Sequence, residues 1–326
     1  MRWLFVAAAL SITVTTAVAD DAMLDIGRAK SEAFLAGQLD EIWGDMTPQV
    51  QQLFGTPTGL ETFRESLASD FGTEIEILSE EVQPGDGAQT YVRTARWSLV
   101  EAPILMQWAI TDDEQIAGLL VKPVPVLAES RFLDYQTKTS LRLPFEGEWF
   151  VVWGGRTLEQ NYHAADRAQR FALDVLIYKD GITHDGDAQV LENYYCWDEP
   201  ILAPADGEVV AAIKDLPDNA IGATDAQKPA GNHVVLDFGN GEFGFLGHMR
   251  QGSIDVAAGD RVSAGQEVGR CGNSGNTSEP HLHFHLQTTP NLSDGEGLPA
   301  YFEDYVANDE PVDRGEPLAG QYIRPQ

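Results

Sequence analysis

The chain is short of basic residues and has no long apolar segment. Lys and Arg number 21 against 51 Asp and Glu, which gives a formal net charge of −30. Binding to nucleic acid depends on basic surface patches, so this composition argues against a nucleic-acid partner. No apolar run approaches the roughly 18 residues that a membrane-spanning helix needs. We therefore do not expect the protein to be embedded in a membrane.

Cysteine is also scarce, because Cys196 and Cys271 are the two in the whole chain. A pair of cysteines in an oxidising compartment favours one disulfide, and two free thiols are the alternative. We do not expect either thiol to bind a metal, because the chain offers better candidate ligands nearby.

The first residues have the pattern of an export signal. Arg2 precedes an apolar run over residues 3–10, and the stretch ends with Ala17-Val18-Ala19 before two aspartates. A basic start, a short apolar core and a small-residue ending are typical of a cleavable secretory signal. We therefore predict a signal peptide over residues 1–19, cleavage between Ala19 and Asp20, and a periplasmic or secreted location.

Residues 20–123 show a helical pattern followed by a strand pattern. Apolar residues recur at helical spacing from residue 20 to about 55. Thr47-Pro48 is a helix-start signal and Gly55 a stop, and a second amphipathic helix is predicted over Gly59–Phe71. The period then changes, and strands are predicted over 74–81, 89–99, 104–111 and 116–121. Helices followed by an antiparallel sheet predict a small α+β domain.

This first domain resembles the NTF2-like family, whose members have helices followed by a curled antiparallel sheet. The resemblance rests on the segments 37–43 (Gly-Gln-Leu-Asp-Glu-Ile-Trp) and 116–119 (Ile-Ala-Gly-Leu). It implies a binding module, so we expect the domain to support docking to a protein or dimerisation rather than catalysis.

The rest of the chain is expected to be mainly β. Residues 124–146 are predicted to be a connector that begins at a proline-containing boundary. From residue 147 to 290, short Val/Ile runs alternate with turns such as Asp206-Gly207 and 239–241, which is typical of a compact antiparallel β domain. Residues 291–326 are polar and contain prolines, and we predict that they form a C-terminal extension.

The histidines are concentrated in that second domain. All seven lie between positions 163 and 285, and three of them occur in the segment 280–285, Pro-His-Leu-His-Phe-His. A strand places residues i and i+2 on one face about 7 Å apart. His281 and His283 would therefore point to the same side, with Leu282 and Phe284 on the opposite, apolar side. Two imidazoles on one strand face supply half of a metal site.

A catalytic zinc site needs three protein ligands and an open position for water. His163 and Asp174 are candidate ligands beside His283, and His281 is placed to act as a base. His248 could donate a hydrogen bond to a developing oxyanion. A helix-based zinc protease is excluded, because the chain lacks the motif His-Glu-x-x-His.

Residues 201–286 closely resemble the lysostaphin/LytM-type zinc endopeptidases, which hydrolyse peptide bonds in bacterial cell-wall peptidoglycan. The matching segments follow the order of that family: 203–210, 231–236, 246–249, 259–266, 272–276 and 280–284. The resemblance implies that His283 is a zinc ligand, that His281 and His248 are catalytic histidines, and that peptidoglycan peptides are the substrate.

One spacing differs from the family pattern. The first His and Asp ligands commonly have three residues between them, whereas ten separate His163 from Asp174. Asp166 is the rival ligand because it is nearer. We prefer Asp174, which lies in an apolar, strand-like setting (171–177), as the Asp of the family does.

Two other classes of protein share parts of this sequence pattern. A catalytically silent relative that binds or activates other cell-wall hydrolases is the main alternative. A biotinyl or lipoyl carrier domain is disfavoured because neither Lys214 nor Lys228 lies in a tight hairpin motif. His285 is expected to be solvated or to support a ligand rather than to be a fourth ligand. The remaining histidines, His184 and His233, are expected at the surface.

Overall fold

The computed structural model describes residues 21–85 and 87–326 and divides after Pro125 into two compact units. The predicted signal peptide, with its cleavage site between Ala19 and Asp20, lies outside the described residues. Among the helices of the described ranges, none combines the length and the apolar character that crossing a membrane requires.

The first unit has four helices followed by one antiparallel sheet in the strand order β1-β2-β3-β4. The predicted α+β class is therefore confirmed, while the likeness to NTF2-like domains stays a prediction. The stretch predicted as helical to residue 55 is broken into three helices, because Gly37 turns the chain with a φ of 79° and Pro48 starts a new helix. The elements are α1 (Asp21–Leu35), α2 (Leu39–Asp45), α3 (Pro48–Phe54), α4 (Pro57–Phe71), β1 (Glu74–Gln83), β2 (Ala88–Trp97), β3 (Ile104–Thr111) and β4 (Ile116–Pro123).

The helices of this unit pack on one face of the sheet through large buried side chains. Phe34 of α1 meets Trp108 of β3 edge to face, with ring centroids 5.7 Å apart. The indole Nε1 of Trp108 donates a hydrogen bond to Ser31 Oγ (2.9 Å), so burial of this ring leaves no polar atom unpaired. The alternation of buried residues along β3 matches the period of two that predicted this strand.

The second unit is mainly β and antiparallel, as predicted. Its large sheet has the strand order β11-β8-β9-β10-β13-β6-β5-β17-β15-β16, with β14 beside β13, and β12 pairs with β7 separately. The strands are β5 (Trp149–Trp153), β6 (Leu173–Leu176), β7 (Pro200–Leu202), β8 (Gly207–Ile213), β9 (Asn232–Asp237), β10 (Phe243–Met249), β11 (Arg261–Val262), β12 (Glu267–Arg270), β13 (Leu282–Gln287), β14 (Gly297–Leu298), β15 (Phe302–Ala307), β16 (Glu310–Gly315) and β17 (Tyr322–Pro325).

Two segments that were expected to flank this unit are part of it. Residues 291–326, predicted as an extension, supply β14 to β17, and Ile323 of β17 is fully buried. Residues 124–146, predicted as a connector, place Leu141 and Phe145 in the core. In both segments the few anchoring apolar residues are separated by polar residues, turns or prolines, so the local pattern indicates a loop although tertiary packing makes it part of the fold.

Strand β13 separates the core from the functional face. Leu282, Phe284 and Leu286 belong to the hydrophobic core. The alternating residues His283 and His285 therefore lie on the other face of the strand. This is the arrangement that the period of two predicts.

Cys196 and Cys271 form a disulfide with a Cα–Cα distance of 6.0 Å, which confirms the predicted pairing. The bond joins the long segment after β6 to the chain just beyond β12. It closes a loop with a sequence separation of 75. A loop of that size restricts the unfolded chain by about 4 kcal/mol in the chain-entropy model.

We expect the double substitution of Cys196 and Cys271 by alanine to lower the free energy of unfolding of the second unit by about 4 kcal/mol. Urea unfolding followed by near-ultraviolet circular dichroism measures this change. Reduced wild-type protein is the control for the packing lost with the two sulfur atoms. An unchanged unfolding midpoint would show that the disulfide does not constrain the unfolded chain.

Candidate metal centre

The centre is built on two neighbouring strands. His283 of β13 is paired in register with Asp174 of β6. Side chains of directly opposed residues lie close together on one face of a sheet. As a result, His283 Nδ1 lies 2.7 Å from Asp174 Oδ1.

His163 reaches the same carboxylate from a loop. It lies in a short 3-10 helix (Tyr162–Ala165) whose N-cap, Asn161, accepts a hydrogen bond from the backbone N–H of His163. The side-chain amide of Asn161 also donates to the backbone oxygen atoms of Gly155 and Ala172. This fully buried asparagine therefore fastens the loop to the start of β6. His163 Nε2 lies 2.9 Å from Asp174 Oδ2 as a consequence.

The donor set fits a zinc ion. One ligand atom from each of His163, Asp174 and His283 lies within 4.8 Å of the other two, and all three residues are buried. Two imidazoles and one carboxylate are ligands that zinc accepts at about 2.0–2.2 Å. The three side chains point at one another across a space that a single small cation could bridge.

The electrostatics favour the protonation states that a metal requires. Burial opposes the charge on Asp174, but His163, His281 and His283 outweigh it and hold the pKa of this carboxyl well below its usual value. Burial lowers the pKa of His283 despite the attraction of Asp174. An ionised carboxylate and a neutral imidazole are the forms that bind a metal.

His281 lies at the edge of this cluster. Its Nε2 is 3.7 Å from Asp174 Oδ2. Its Nδ1 lies 3.0 Å from the backbone oxygen of Glu279 and 3.1 Å from Thr277 Oγ1. A carbonyl oxygen only accepts, so Nδ1 carries the proton and Nε2 presents a free lone pair to the site. With 15% of its side chain exposed, His281 is the most accessible histidine of the group.

His248 is turned toward the site by an irregularity at the end of β10. Its pairing with β9 slips between Leu246 and Met249, and its own φ is 62°, which is rare for a residue other than glycine. Bulges of this kind redirect side chains next to active sites. The His248 ring centroid lies 4.7 Å from that of His281.

The hydrogen bonds of His248 define which of its nitrogens is available. Nδ1 donates to the backbone oxygen of Ser274 at 2.8 Å. Nε2 is then the nitrogen left for a ligand or substrate. Burial and the nearby His281 and His283 lower the pKa of His248 well below its usual value.

The rival carboxylate is elsewhere. Asp166 is exposed, and its Oδ1 accepts hydrogen bonds from the backbone N–H groups of Ala168 and Gln169 at 2.8 and 3.0 Å. It stabilises a turn and takes no part in the cluster of His163, Asp174 and His283. The structure therefore brings together the five residues that sequence reasoning proposed, and it places Asp174 rather than Asp166 among them.

The remaining histidines divide into two kinds. His285 is only 1% exposed and lies directly behind His283, with His283 Nε2 2.8 Å from His285 Nδ1. Gln287, which sequence reasoning did not single out, continues this row. The regular spacing of 283, 285 and 287 on one strand face was the signal that could have revealed it.

His184 and His233 are half-buried rather than at the surface. The ring of His184 contacts that of Tyr194, and His233 Nδ1 lies 2.8 Å from the backbone oxygen of Gly231.

Comparison with known proteins identifies part of this unit. Residues 195–295 match the model of peptidase family M23. The matched range contains His248, His281 and His283, whereas His163 and Asp174 precede it.

Two curated relatives match parts of this chain, one named as a peptidoglycan endopeptidase and the other as a cell division protein. The chain is 42% identical over 57 residues to the peptidoglycan DD-endopeptidase ShyA of Vibrio cholerae, an alignment that covers 18% of this chain and 13% of the relative. It is 28% identical over 95 residues to the cell division protein DipM of Caulobacter vibrioides, covering 29% and 14%. The chain thus spans less than a sixth of the length of each.

Solved structures of peptidases are also similar to this chain at low identity. The catalytic domain of lysostaphin from Staphylococcus simulans is 20% identical, with a TM-score of 0.28 over 46% of this chain and 86% of that domain. The M23 metalloprotease pseudoalterin, from the deep sea, is 17% identical, with a TM-score of 0.32 over 53% of this chain and 83% of that structure.

Proposed function

Starting from the peptidase family M23 segment over residues 195–295, we propose that this protein is an exported, zinc-dependent endopeptidase. Its proposed substrates are amide bonds in the stem peptides or cross-bridges of peptidoglycan. The observation that carries the proposal is the convergence of His163, Asp174 and His283 on one buried point, with His281 and His248 beside it.

The ligand residues need little rearrangement to hold the ion. Asp174 is contacted on one oxygen by His163 and on the other by His283, so its carboxylate orients both rings. When bound, zinc supplies a Lewis acid that lowers the pKa of a water molecule and polarises the scissile carbonyl.

His281 is the proposed general base. Its Nδ1 proton is directed to the carbonyl of Glu279, which leaves Nε2 as the acceptor that faces the cluster. A base must lie within hydrogen-bond reach of the proton that it removes. The partial exposure of His281 also gives this nitrogen access to an incoming substrate.

His248 is the proposed stabiliser of the oxyanion in the tetrahedral intermediate. The hydrogen bond to Ser274 fixes its ring and directs Nε2 away from that carbonyl. Because Nδ1 already donates to Ser274, Nε2 can donate to the oxyanion only when the His248 ring is protonated on both nitrogens. Burial opposes that charged form, and the negative charge of the developing oxyanion would favour it. Donors held in place before the reaction stabilise developing charge more effectively than mobile ones.

The N-terminal unit and the location complete the proposal. The acidic chain, the predicted signal peptide and the cell-wall substrate are consistent with a periplasmic or secreted peptidase. We assign the unit before Pro125 a docking or dimerisation role, because the proposed catalytic residues all lie in the second unit.

Digestion of peptidoglycan by the purified mature protein tests this function. We expect new peptide termini in the mass spectrum of the released products, their loss after treatment with a zinc chelator, and their return when zinc is added. The position of the new termini identifies the bond that is cut. Folded, zinc-loaded protein that releases no products would contradict the peptidase proposal and favour the silent binding partner.

A further inference from the structure

We propose that His285 and Gln287 are positioning residues that fix the tautomer of His283 and direct its Nδ1 lone pair toward the metal. This inference rests on the proposed function, since it takes His283 to be a ligand. It assigns a role to a buried row of polar side chains that the proposed chemistry does not otherwise use.

The row follows one face of β13. His283, His285 and Gln287 are two residues apart, and all three are buried. His283 Nε2 lies 2.8 Å from His285 Nδ1, and His285 Nε2 lies 3.3 Å from Gln287 Oε1. The three side chains therefore form one continuous hydrogen-bonded chain that ends at the candidate metal site.

The far end of the row sets its direction. Gln287 Nε2 donates to the backbone oxygens of Thr289 and Asn291, at 2.8 and 2.7 Å. Carbonyl oxygens can only accept, so these two bonds fix the orientation of the amide and leave Oε1 toward His285. A reversed amide would bring oxygen against two carbonyl oxygens.

The orientation of Gln287 determines the tautomers of the two histidines that precede it in the row. Because Gln287 Oε1 accepts, His285 must carry its proton on Nε2. A neutral imidazole has one donor and one acceptor nitrogen, so His285 Nδ1 then accepts. His283 must therefore donate from Nε2, which leaves Nδ1 with a lone pair. Nδ1 lies 2.7 Å from the carboxylate of Asp174, which also only accepts, so this arrangement is favourable when a metal ion binds both atoms. The bond made by one ring nitrogen decides how the other is used.

Packing around the row indicates that it is held rigidly. The His285 ring stacks on Phe245, with centroids 4.5 Å apart and planes 11° apart. The loop after β13 closes over Gln287 at Gly295, where an added Cβ would lie 2.7 Å from the amide nitrogen. Burying polar groups is costly unless they are paired. Apolar side chains at these positions would be enough to fill the space. We therefore assign the polar side chains the role of orienting the His283 ring.

The test compares two side chains of similar size at position 285. Asn keeps an oxygen that can accept from His283 Nε2, whereas Leu offers no acceptor. We expect H285L to weaken zinc binding by about 10–100-fold, the usual effect of losing a partner behind a metal ligand. We expect H285N to stay within a few-fold of the wild type. Competition with a chromogenic zinc chelator measures the affinity, and circular dichroism of the zinc-free forms verifies the fold.

A second measurement needs no variant. Proton–nitrogen correlation spectra of the histidine rings in zinc-loaded wild-type protein should show His283 protonated on Nε2, with slow exchange against solvent. Equal zinc affinities of H285L and wild type, or a His283 proton on Nδ1, would overturn the inference and leave the peptidase proposal standing. Wild-type protein that binds no zinc would overturn the proposed function itself.

Discussion

Replacing His283 with alanine is expected to abolish zinc binding and, with it, the hydrolysis of peptidoglycan. The substitution removes one of three converging ligands from the buried point where Asp174 orients both rings. Activation of water and polarisation of the carbonyl both depend on the bound ion and are together worth several kcal/mol. A fall in turnover of roughly 10³-fold or more follows from that loss.

Metal analysis of the purified variant, together with product release from peptidoglycan, measures both effects. Asp166→Ala is the matched control, because Asp166 is an exposed turn residue in the same segment as His163. It should keep the zinc and the activity of the wild type. A His283→Ala protein that retains one zinc per chain would show that the ligand set is wrong.

Replacing His281 with alanine is expected to leave zinc binding intact and to lower turnover by a factor comparable to that expected for His283→Ala. His281 Nε2 lies 3.7 Å from Asp174 and belongs to the edge of the cluster, so zinc should remain. Loss of a positioned general base typically lowers the rate by 10²–10⁴-fold. We therefore expect kcat to fall by that factor while the zinc content stays equal to that of the wild type.

Steady-state kinetics on a defined peptidoglycan peptide, with zinc quantified in the same sample, checks this prediction. His184→Ala is a suitable control, since His184 lies beside Tyr194 in the same unit and outside the cluster of His163, Asp174 and His283. Near-full turnover of His281→Ala would remove the base role from this residue. Simultaneous loss of zinc would make it a ligand instead.

The spacing of apolar residues predicted those parts of the fold that depend on residues close together in sequence. The alternation at 280–285 predicted that His283 and Leu282 face opposite sides of a strand, as they do. The change from helical to alternating spacing near Glu74 predicted the order of helices and sheet in the first unit. In both cases the period of the apolar residues is set by the geometry of one element.

The remainder depends on contacts between distant parts of the chain. His163 meets Asp174 because Asn161 fastens a loop to β6, and no local period records such a bond. The role of His285 depends on Gln287 and on a loop that closes at Gly295. The strands beyond residue 297 were missed since their short apolar anchors are separated by acidic residues and turns.

The pairing of β17 with β5 has a consequence for the order in which the protein assembles. These strands come from opposite ends of the second unit, and β5 is the neighbour of β6, which carries Asp174. Contacts between segments so far apart in sequence form slowly, because a large loop must close first. The edge of β5 that faces away from β6 therefore stays unpaired until β17 has been made. We expect the candidate metal centre to be held rigidly only once that edge is covered, so the proposed peptidase activity would follow the synthesis of β17.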